Sequence, residues 1–200
     1  MFNGTNVNVA SNGTFYVRKS IPTFAMIPTG VTVPSTGTPL YKFSITADPA
    51  GAIEWTHLVF NIATSSTAAS SLTNLYLTDD ASGVSLTDSG VYATTTSTTA
   101  TFDLGGNTTA AKYQQVAAGA TKTYDLYGTV AGFTTGSTVT ISLASDGSHI
   151  ANEAAAPYAA GNFVWSDRSG VNGVHTTATA DWTNGYLLKN FTSNAVSYSK

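Results

Sequence analysis

Aspartates in turn-like stretches are the first side chains of this sequence that could do chemistry. Asp79 and Asp80 precede Ala-Ser-Gly, and Asp88 precedes Ser-Gly. Calcium binds carboxylate oxygens together with loop carbonyls, so these three residues are a candidate calcium site, although they do not match an EF-hand loop. Aspartates also accept hydrogen bonds from the backbone of their own turn, and this alternative stays open. A second candidate set consists of Asp146, Asp167 and Asp181.

Aromatic side chains cluster towards the end of the sequence. Trp165, Trp182 and Tyr186 lie close together there, with Tyr158 a little upstream. Exposed in a groove, these rings would form a glycan-binding site, because large amphipathic rings combine contact area with a polar group. Packed over one end of the fold, they would instead belong to the core. The sequence leaves both interpretations open.

The residue types that most enzymes need are scarce or badly spaced. The 3 histidines, His57, His149 and His175, lie in unrelated contexts, and neither HExxH nor GxSxG occurs. Polysaccharide hydrolysis would require paired carboxylates, and only Glu54 and Glu153 accompany the aspartates. No reaction is predicted, and the chain is expected not to be an enzyme.

Two lysines raise the question of a covalent crosslink. The chain has no cysteine, which excludes disulfides and thiolate chemistry. An internal amide between a lysine and an asparagine or aspartate would suit a cysteine-free sandwich. Lys42 and Lys122, both in strand-like segments, are the eligible lysines. Such a bond requires a buried lysine beside a catalytic carboxylate.

Composition limits the function classes further. Of the 200 residues 10% are charged and 11% are aromatic, so the chain has the apolar residues that a core needs and is not of the disordered type. The net charge of −3 and the pI near 5.4 offer no basic surface to nucleic acid. No stretch approaches the ~18 apolar residues of a membrane-spanning helix. The first residues lack the pattern of a signal peptide, so the chain is either cytosolic or a piece of a longer secreted protein, and we expect the second.

The segment 39–62 has the strongest strand signals and is expected to organise the fold. Tyr41, Phe43 and Ile45 alternate with polar residues, as in a strand with one buried face. Residues 48–51, Asp-Pro-Ala-Gly, predict a tight turn, and apolar residues resume from 53 to 62. The sequence thus predicts a hairpin of two long antiparallel strands. Near Trp55, either a bulge or the sheet edge is expected to swap the faces.

Further strands are predicted on either side of this segment. Prolines place the extended segment 23–27 at a sheet edge or at a crossing between sheets, and shorter or weaker strands are expected at 72–77 and within 84–102. Alternation is clearest at 124–130 and 138–143, and the segments 163–165 and 186–188 also have strand patterns. The expected core consists of Phe43, Ile45, Trp55, Leu58, Phe60, Leu75, Leu126, Val139, Ile141 and Leu143.

These elements predict an all-β fold, an immunoglobulin-like Greek-key β-sandwich with a C-terminal β extension. A chain of 200 residues is long enough for one such domain. Residues 1–14 are expected to be a linker or an edge strand, and residues 15–145 the sandwich core. Residues 146–200 are expected to form a C-terminal segment that packs on the sandwich.

Several segments resemble modules of large secreted surface proteins of candidate-phyla bacteria. They are 15–23 (FYVRKSIPT), 40–48 (LYKFSITAD) and 119–123 (GATKT), and the stretches 162–167 (NFVWSD) and 181–190 (DWTNGYLLKN), with His175 between them, are similar to the closing segment of those modules. The resemblance implies an immunoglobulin-like sandwich within a long polypeptide of the surface-layer or adhesin type. It transfers no active-site residues.

The expected function is a structural building block of an extracellular bacterial surface protein, in a surface layer, stalk or filament. Its partners would be neighbouring domains of the same polypeptide or like subunits. The alternative is an adhesion module that binds glycans or cell wall through exposed Trp and Tyr residues, and a phage fibre domain would have the same composition. No cofactor is expected unless the aspartates bind calcium.

Overall fold

The computed structural model of the chain describes residues 17–65, 71–87, 92–95, 98–104, 113–150, 161–170, 175, 179, 181–191 and 195–200. These residues form twelve β-strands and no helix, and every strand pair is antiparallel. The all-β prediction is therefore confirmed. The strands are β1 (Thr23–Met26), β2 (Tyr41–Thr46), β3 (Ile53–Ser65), β4 (Ser71–Asp79), β5 (Tyr92–Thr95), β6 (Thr99–Asp103), β7 (Gln114–Val116), β8 (Thr121–Ala131), β9 (Thr138–Leu143), β10 (Phe163–Ser166), β11 (Trp182–Asn184) and β12 (Val196–Ser199).

The strands form two sheets. Sheet I has the order β1-β2-β8-β4, with β1 at an edge as its flanking prolines predict. Sheet II is built around the long strand β3, which pairs with β7 and β6 along one side and with β10 and β9 along the other. Outside these, β5 pairs with β6, β11 with β10 and β12 with β9. The strands from the last fifty residues are thus hydrogen-bonded into sheet II.

Aromatic side chains fill the space between the sheets. Phe43 of sheet I lies against Phe60 of sheet II with ring centroids 6.1 Å apart, and Tyr124 meets Trp55 edge to face at 5.2 Å. The Trp55 indole N–H also donates to the Tyr124 hydroxyl at 3.2 Å. All ten residues predicted for the core belong to this buried cluster. The described residues include no helix that could cross a membrane.

The predicted hairpin over 39–62 is wrong, although both of its strands exist. β2 lies in sheet I between β1 and β8, whereas β3 lies in sheet II. Both edges of β2 and both edges of β3 are taken by other strands, so the two cannot pair with each other. Residues 48–51 do form a turn, in which the Gly51 N–H donates to the Asp48 carbonyl at 3.1 Å. That turn carries the chain from one sheet to the other.

The bulge near Trp55 is confirmed. On β10, Val164 pairs with His57 and the next residue, Trp165, pairs with Trp55, so Thr56 is an extra residue in β3. Because side chains alternate along a strand, an extra residue reverses the face from that point on. Trp55 therefore points into the same core as Leu58, two positions beyond the bulge.

The predicted strand at 186–188 is wrong. The final strand of this region, β11, ends at Asn184, and Tyr186 and Leu187 lie in a turn. Leu187 has a φ of 60°, a left-handed conformation that ends an extended run. Its side chain is 84% exposed, so the apolar pattern there does not mark a buried face.

A close contact at Gly128 predicts that a larger residue there would destabilise the protein. The register of β4 on β8 shifts between Thr73 and Tyr76, which places Leu75 over Gly128. A Cβ at Gly128 would lie 2.5 Å from the Leu75 Cδ2 and 3.2 Å from the Thr73 carbonyl oxygen. We expect Gly128→Ala to lower the free energy of unfolding by about 1 to 3 kcal/mol, because the neighbouring side chain must leave its packed position. A urea titration measures the change.

Gly147→Ala is the matched control for this substitution. A Cβ at Gly147 meets no atom within 4 Å. We expect its titration midpoint to equal that of the unsubstituted protein. Equal midpoints for both variants would contradict the packing of Leu75 against Gly128.

Candidate functional site

The residues of the predicted calcium site have other partners in the structure. Asp79 Oδ1 accepts hydrogen bonds from the N–H groups of Ala81 and Ser82, both at 3.1 Å. Asp80 instead contacts the Lys42 ammonium at 2.7 Å. Asp88 lies outside the described residues. Asp79 therefore caps its own turn, and the described part of the chain contains no metal-binding group of three or more His, Asp or Glu side chains.

The second set of aspartates is also engaged with the backbone. Asp146 accepts from the N–H groups of Asn162 at 2.6 Å and Gly185 at 2.8 Å, and so holds the start of β10 to the end of β11. Asp167 accepts from the Lys19 N–H at 2.6 Å. Each carboxylate thus ties two distant parts of the chain together.

The two tryptophans of the candidate glycan site are buried, as in the interpretation that places them in the core. Trp165 is 3% exposed and Trp182 0%, whereas Tyr186 is 37% exposed. The Trp165 indole N–H donates to the Asn184 carbonyl at 3.0 Å, and the Arg18 guanidinium lies 5.9 Å from the Trp165 ring centroid. A sugar has no access to either indole face in this conformation. Of these three aromatic residues, only Tyr186 lines an open surface pocket, which has a volume of about 360 Å³.

Beside Trp182, a histidine links two buried carboxylates. The His175 Nδ1 contacts Glu54 Oε2, and its Nε2 lies 3.0 Å from Asp181 Oδ1. Glu54 is on β3, and Asp181 directly precedes β11. The exposed fractions of Glu54, His175 and Asp181 are 7%, 8% and 2%. We call these three residues the carboxylate–histidine bridge.

The surroundings of the bridge satisfy its charges. The His175 ring stacks on Trp182 with centroids 4.5 Å apart and an interplanar angle of 7°. Asp181 Oδ2 accepts from the Gly170 N–H at 3.1 Å, and the Arg168 guanidinium lies 3.9 Å from Glu54 Oε1. A buried carboxylate needs such partners, because water no longer solvates it.

Both ring nitrogens of His175 face a carboxylate, so the charged imidazolium, which donates from both, fits the bridge best. Burial alone would lower the pKa of His175, but hydrogen bonds to Asp181 and Glu54 outweigh it and raise that pKa to about 9. Burial raises the pKa of Asp181, but its hydrogen bonds, above all the one from His175, lower it by more. The pKa of Asp181 is therefore below its usual value. Both ring nitrogens of the imidazolium carry a proton. In this form His175 can neither accept a proton from a nucleophile nor coordinate a metal ion. As an ion pair, the bridge ties β3 to the residue that precedes β11.

The pKa of His175 predicts how the stability of the protein depends on pH. Its folded-state value of about 9 exceeds the unfolded value of 6.5, so the stabilisation is complete below pH 6.5 and disappears as the pH rises through 9. At about 1.4 kcal/mol per pH unit, the loss is on the order of 3 kcal/mol. Asp181, whose pKa is lowered, adds stability that is lost in acid. Urea titrations between pH 6 and pH 10 measure the decline.

The difference between the protein and its His175→Gln variant isolates the contribution of the bridge, because the titrating groups that do not contact His175 cancel. We expect the difference in unfolding free energy to shrink steadily as the pH rises. A difference that stays constant with pH would contradict an imidazolium in the folded state.

A second charged group lies on the outer face of sheet I. Lys42 on β2 is directly opposite Asp125 on β8, with its Nζ 3.7 Å from Asp125 Oδ1 and 2.7 Å from Asp80 Oδ1. Asp125 is 3% exposed. Burial, together with hydrogen bonding to Asp80, raises the pKa of Asp125 to about 6. Of the two eligible lysines, Lys42 is thus the one placed beside a buried carboxyl group.

Sequence reasoning missed the carboxylate–histidine bridge. Glu54 and His175 are 121 positions apart, and no spacing rule connects them. One signal was available, since Glu54 stands between the apolar residues Ile53 and Trp55 in a strand-like run. A carboxylate in such a place needs a buried cationic partner.

Comparison with known proteins adds no identity. The sequence matches no protein-family model and no curated protein. Function is therefore inferred from the side chains and their geometry.

Proposed function

We propose that the chain is a structural module of an extracellular bacterial surface protein, such as a surface layer, stalk or filament. Its partners are neighbouring domains of the same polypeptide or like subunits, and it carries out no catalysis. The carboxylate–histidine bridge is the observation that carries this proposal. In a chain without cysteine, it ties β3 to the C-terminal segment from within the protein.

The strand order supports an immunoglobulin-like Greek key. In that fold one sheet has the order A-B-E-D and the other contains C, F and G. Sheet I, β1-β2-β8-β4, and the series β12-β9-β3 of sheet II follow this order when the seven strands are lettered along the chain. Trp55 then occupies the central strand C, where immunoglobulin domains have a buried tryptophan. The additional strands β5 to β7 and β10 to β11 are insertions into this plan.

The C-terminal segment is proposed to reinforce the sandwich. β10 extends the contacts of β3, and the Tyr198 hydroxyl on β12 donates to the Leu40 carbonyl at 2.8 Å. Residues from the two ends of the described chain also meet, since Arg18 donates to the Asp181 carbonyl at 3.0 Å. Ties of this kind resist separation of the strands, which is what a load-bearing module requires.

Forced unfolding of single molecules tests the proposal. The protein would be placed between two reference domains of known unfolding force and pulled by its ends. We expect it to unfold at a force comparable to that of the references, and we expect His175→Ala to unfold at a clearly lower force. Unfolding at a force no higher than that of the variant would overturn a load-bearing role for the bridge.

A glycan-binding function predicts a different result. Binding of a soluble cell-wall polysaccharide would change the fluorescence of the tryptophans or of Tyr186. Because Trp165 and Trp182 are buried, we expect no change. A saturable change that is lost in Tyr186→Ala would replace the structural function with adhesion.

A further inference from the structure

The last strand, β12, has an open edge in sheet II. It pairs with β9 on one side, and no strand of the described part of the chain pairs with its other side. The Lys200 N–H donates to the Ser137 carbonyl at 3.2 Å, so Lys200 bonds towards β9. Because the direction of the main-chain groups alternates along a strand, the N–H and C=O groups of Ser197 and Ser199 point away from β9. β12 thus offers main-chain groups to an added strand.

The sequence of β12 does not block such an addition, in contrast to that around the edge strand β1 of sheet I. Proteins protect exposed edges with prolines, charged side chains or bulges. β1 lies between Pro22 and Pro28, and its Phe24 N–H donates to the Lys189 carbonyl at 3.4 Å. β12 reads Val-Ser-Tyr-Ser, without proline or charge, and its register on β9 has no bulge. β12 is therefore the less protected of these two edges.

An apolar cavity opens beside this edge. It has a volume of about 400 Å³ and is lined by residues that follow β1 and by the start of β12. Met26, Val31 and Val196 provide apolar side chains, and none of the lining residues is charged. These three side chains are only partly buried against the core. A strand added to β12 therefore covers apolar surface as well as the outward main-chain groups.

We propose that a second copy of this chain pairs with β12 through its own β12, antiparallel and about a two-fold axis at Ser197. In this register the two Ser197 residues lie opposite each other, and Val196 of each copy lies opposite Tyr198 of the other. The two copies of sheet II then form one continuous sheet. The contact specifies the like subunit of the structural function proposed above and to that extent rests on it.

The edge is complementary to itself, as a two-fold contact requires. Each Ser197 N–H can donate to the Ser197 carbonyl of the other copy, because both groups point outwards. The axis is perpendicular to the sheet, so both copies of sheet I lie on the same side of it and the two apolar cavities face each other. The chain has a net charge of −3, but neither β12 nor the cavity lining contains a charged residue. A second copy therefore meets this edge without opposing like charges.

Sedimentation equilibrium over a concentration series tests the dimer. We expect the mass to rise from that of one chain towards that of two. Ser197→Pro removes the N–H at the two-fold axis but no bond to β9, and proline is tolerated in an edge strand where the N–H points away from the sheet. We expect this variant to stay a monomer. Ser197→Ala keeps the N–H and should dimerise like the unsubstituted protein, and circular dichroism shows whether both variants are folded.

Single cysteines test the register. The chain has no cysteine, so a disulfide in such a variant must join two copies. In the proposed register the two Ser197 Cα atoms are about 5.5 Å apart, which is within the range of a disulfide. The two Ser199 positions are offset by four residues along the strands and are too far apart. Under mild oxidation we expect Ser197→Cys to form a covalent dimer, and we expect Ser199→Cys, on the same edge and face, to form far less.

Three results would overturn the proposal. The first is a monomer at every concentration, and the second is a dimer that persists in folded Ser197→Pro. The third is equal disulfide formation at the two cysteine positions, because another surface or register would then hold the copies together. If Ser197→Pro does not fold, the comparison of the two cysteine variants decides alone. Loss of this contact leaves the structural function intact, since the unfolding force of a single molecule does not depend on a second copy.

Discussion

Replacing His175 with alanine is expected to lower the free energy of unfolding by about 3 to 5 kcal/mol at pH 6, the loss seen when one partner of a buried ion pair is removed. The substitution leaves Glu54 and Asp181 in the interior without their shared cation. The guanidinium of Arg168, 3.9 Å from Glu54, can offset the charge of Glu54 but not that of Asp181. A urea titration followed by circular dichroism measures the loss.

The variant should also change the environment of the tryptophans. His175 stacks on Trp182, so its removal opens one face of that indole. We expect the tryptophan emission to shift to longer wavelength before the main unfolding transition, as the C-terminal segment loosens. Coincident transitions with an unchanged stability would mean that the bridge does not hold this segment.

His149→Ala is the control for the loss of a histidine as such. His149 Nε2 lies 3.0 Å from the Thr183 hydroxyl, a partner that carries no charge. Such a hydrogen bond contributes about 1 kcal/mol, so the variant should lose far less than His175→Ala. Equal losses of unfolding free energy in the two variants would contradict an ionic contribution of His175 to stability.

A double-mutant cycle separates the ionic coupling from the packing. Glu54→Gln and His175→Gln each remove one charge, and the double variant removes both while keeping amides of similar size. We expect the two single losses to sum to more than the loss in the double variant, by about 1 to 3 kcal/mol, because the residues interact directly. Additive losses would show that the two side chains do not interact.

The core of this protein was predictable because it depends on local alternation. Phe43 and Ile45, or Val139 and Ile141, lie two positions apart in strands that have one buried face, and a period of two is readable in any sequence. The change of face at Trp55 was predictable for the same reason, since the apolar pattern shifts phase there. These signals belong to single strands and need no knowledge of their neighbours.

Pairing was less predictable, because a turn does not determine which sheet receives the next strand. Asp48 and Gly51 form the expected turn, but β3 has its edges occupied by strands that come about forty to eighty positions later. An arch between two sheets and a hairpin have the same local sequence. Only the competition among all the strands decides between them.

The candidate sites also divide into features that are local in the sequence and features that depend on strand pairing. That Asp79 can cap its own turn is a local property, and it was among the alternatives that the sequence offered. The partnership of Glu54 with His175 and that of Lys42 with Asp125 are consequences of strand order and register. The burial of Trp165 and Trp182 likewise depends on where β10 and β11 pair. Composition alone does not contain that information.

Phe60→Ala is expected to have an effect as large as that of His175→Ala, for an unrelated reason. Phe60 is 0% exposed and packs edge to face against Tyr41, Phe43 and Phe102, with centroid separations of 5.5, 6.1 and 5.8 Å. Two of these rings come from sheet I and one from sheet II, so the benzyl group fills the centre of the core. Its removal should cost about 3 to 5 kcal/mol, since rigid strands on both sides cannot collapse into the cavity.

The pH dependence distinguishes this loss from that of the bridge. Removal of an apolar ring changes no charge, so the destabilisation by Phe60→Ala should be the same at pH 6 and pH 10, whereas that of His175→Ala should fall as the imidazolium deprotonates. Val84→Ala, at a side chain that is 56% exposed, should leave the titration midpoint unchanged at both pH values. A pH-dependent loss in Phe60→Ala would mean that the sheets and the bridge are coupled through the core. A loss near zero would instead show that Phe60 does not lie between the sheets.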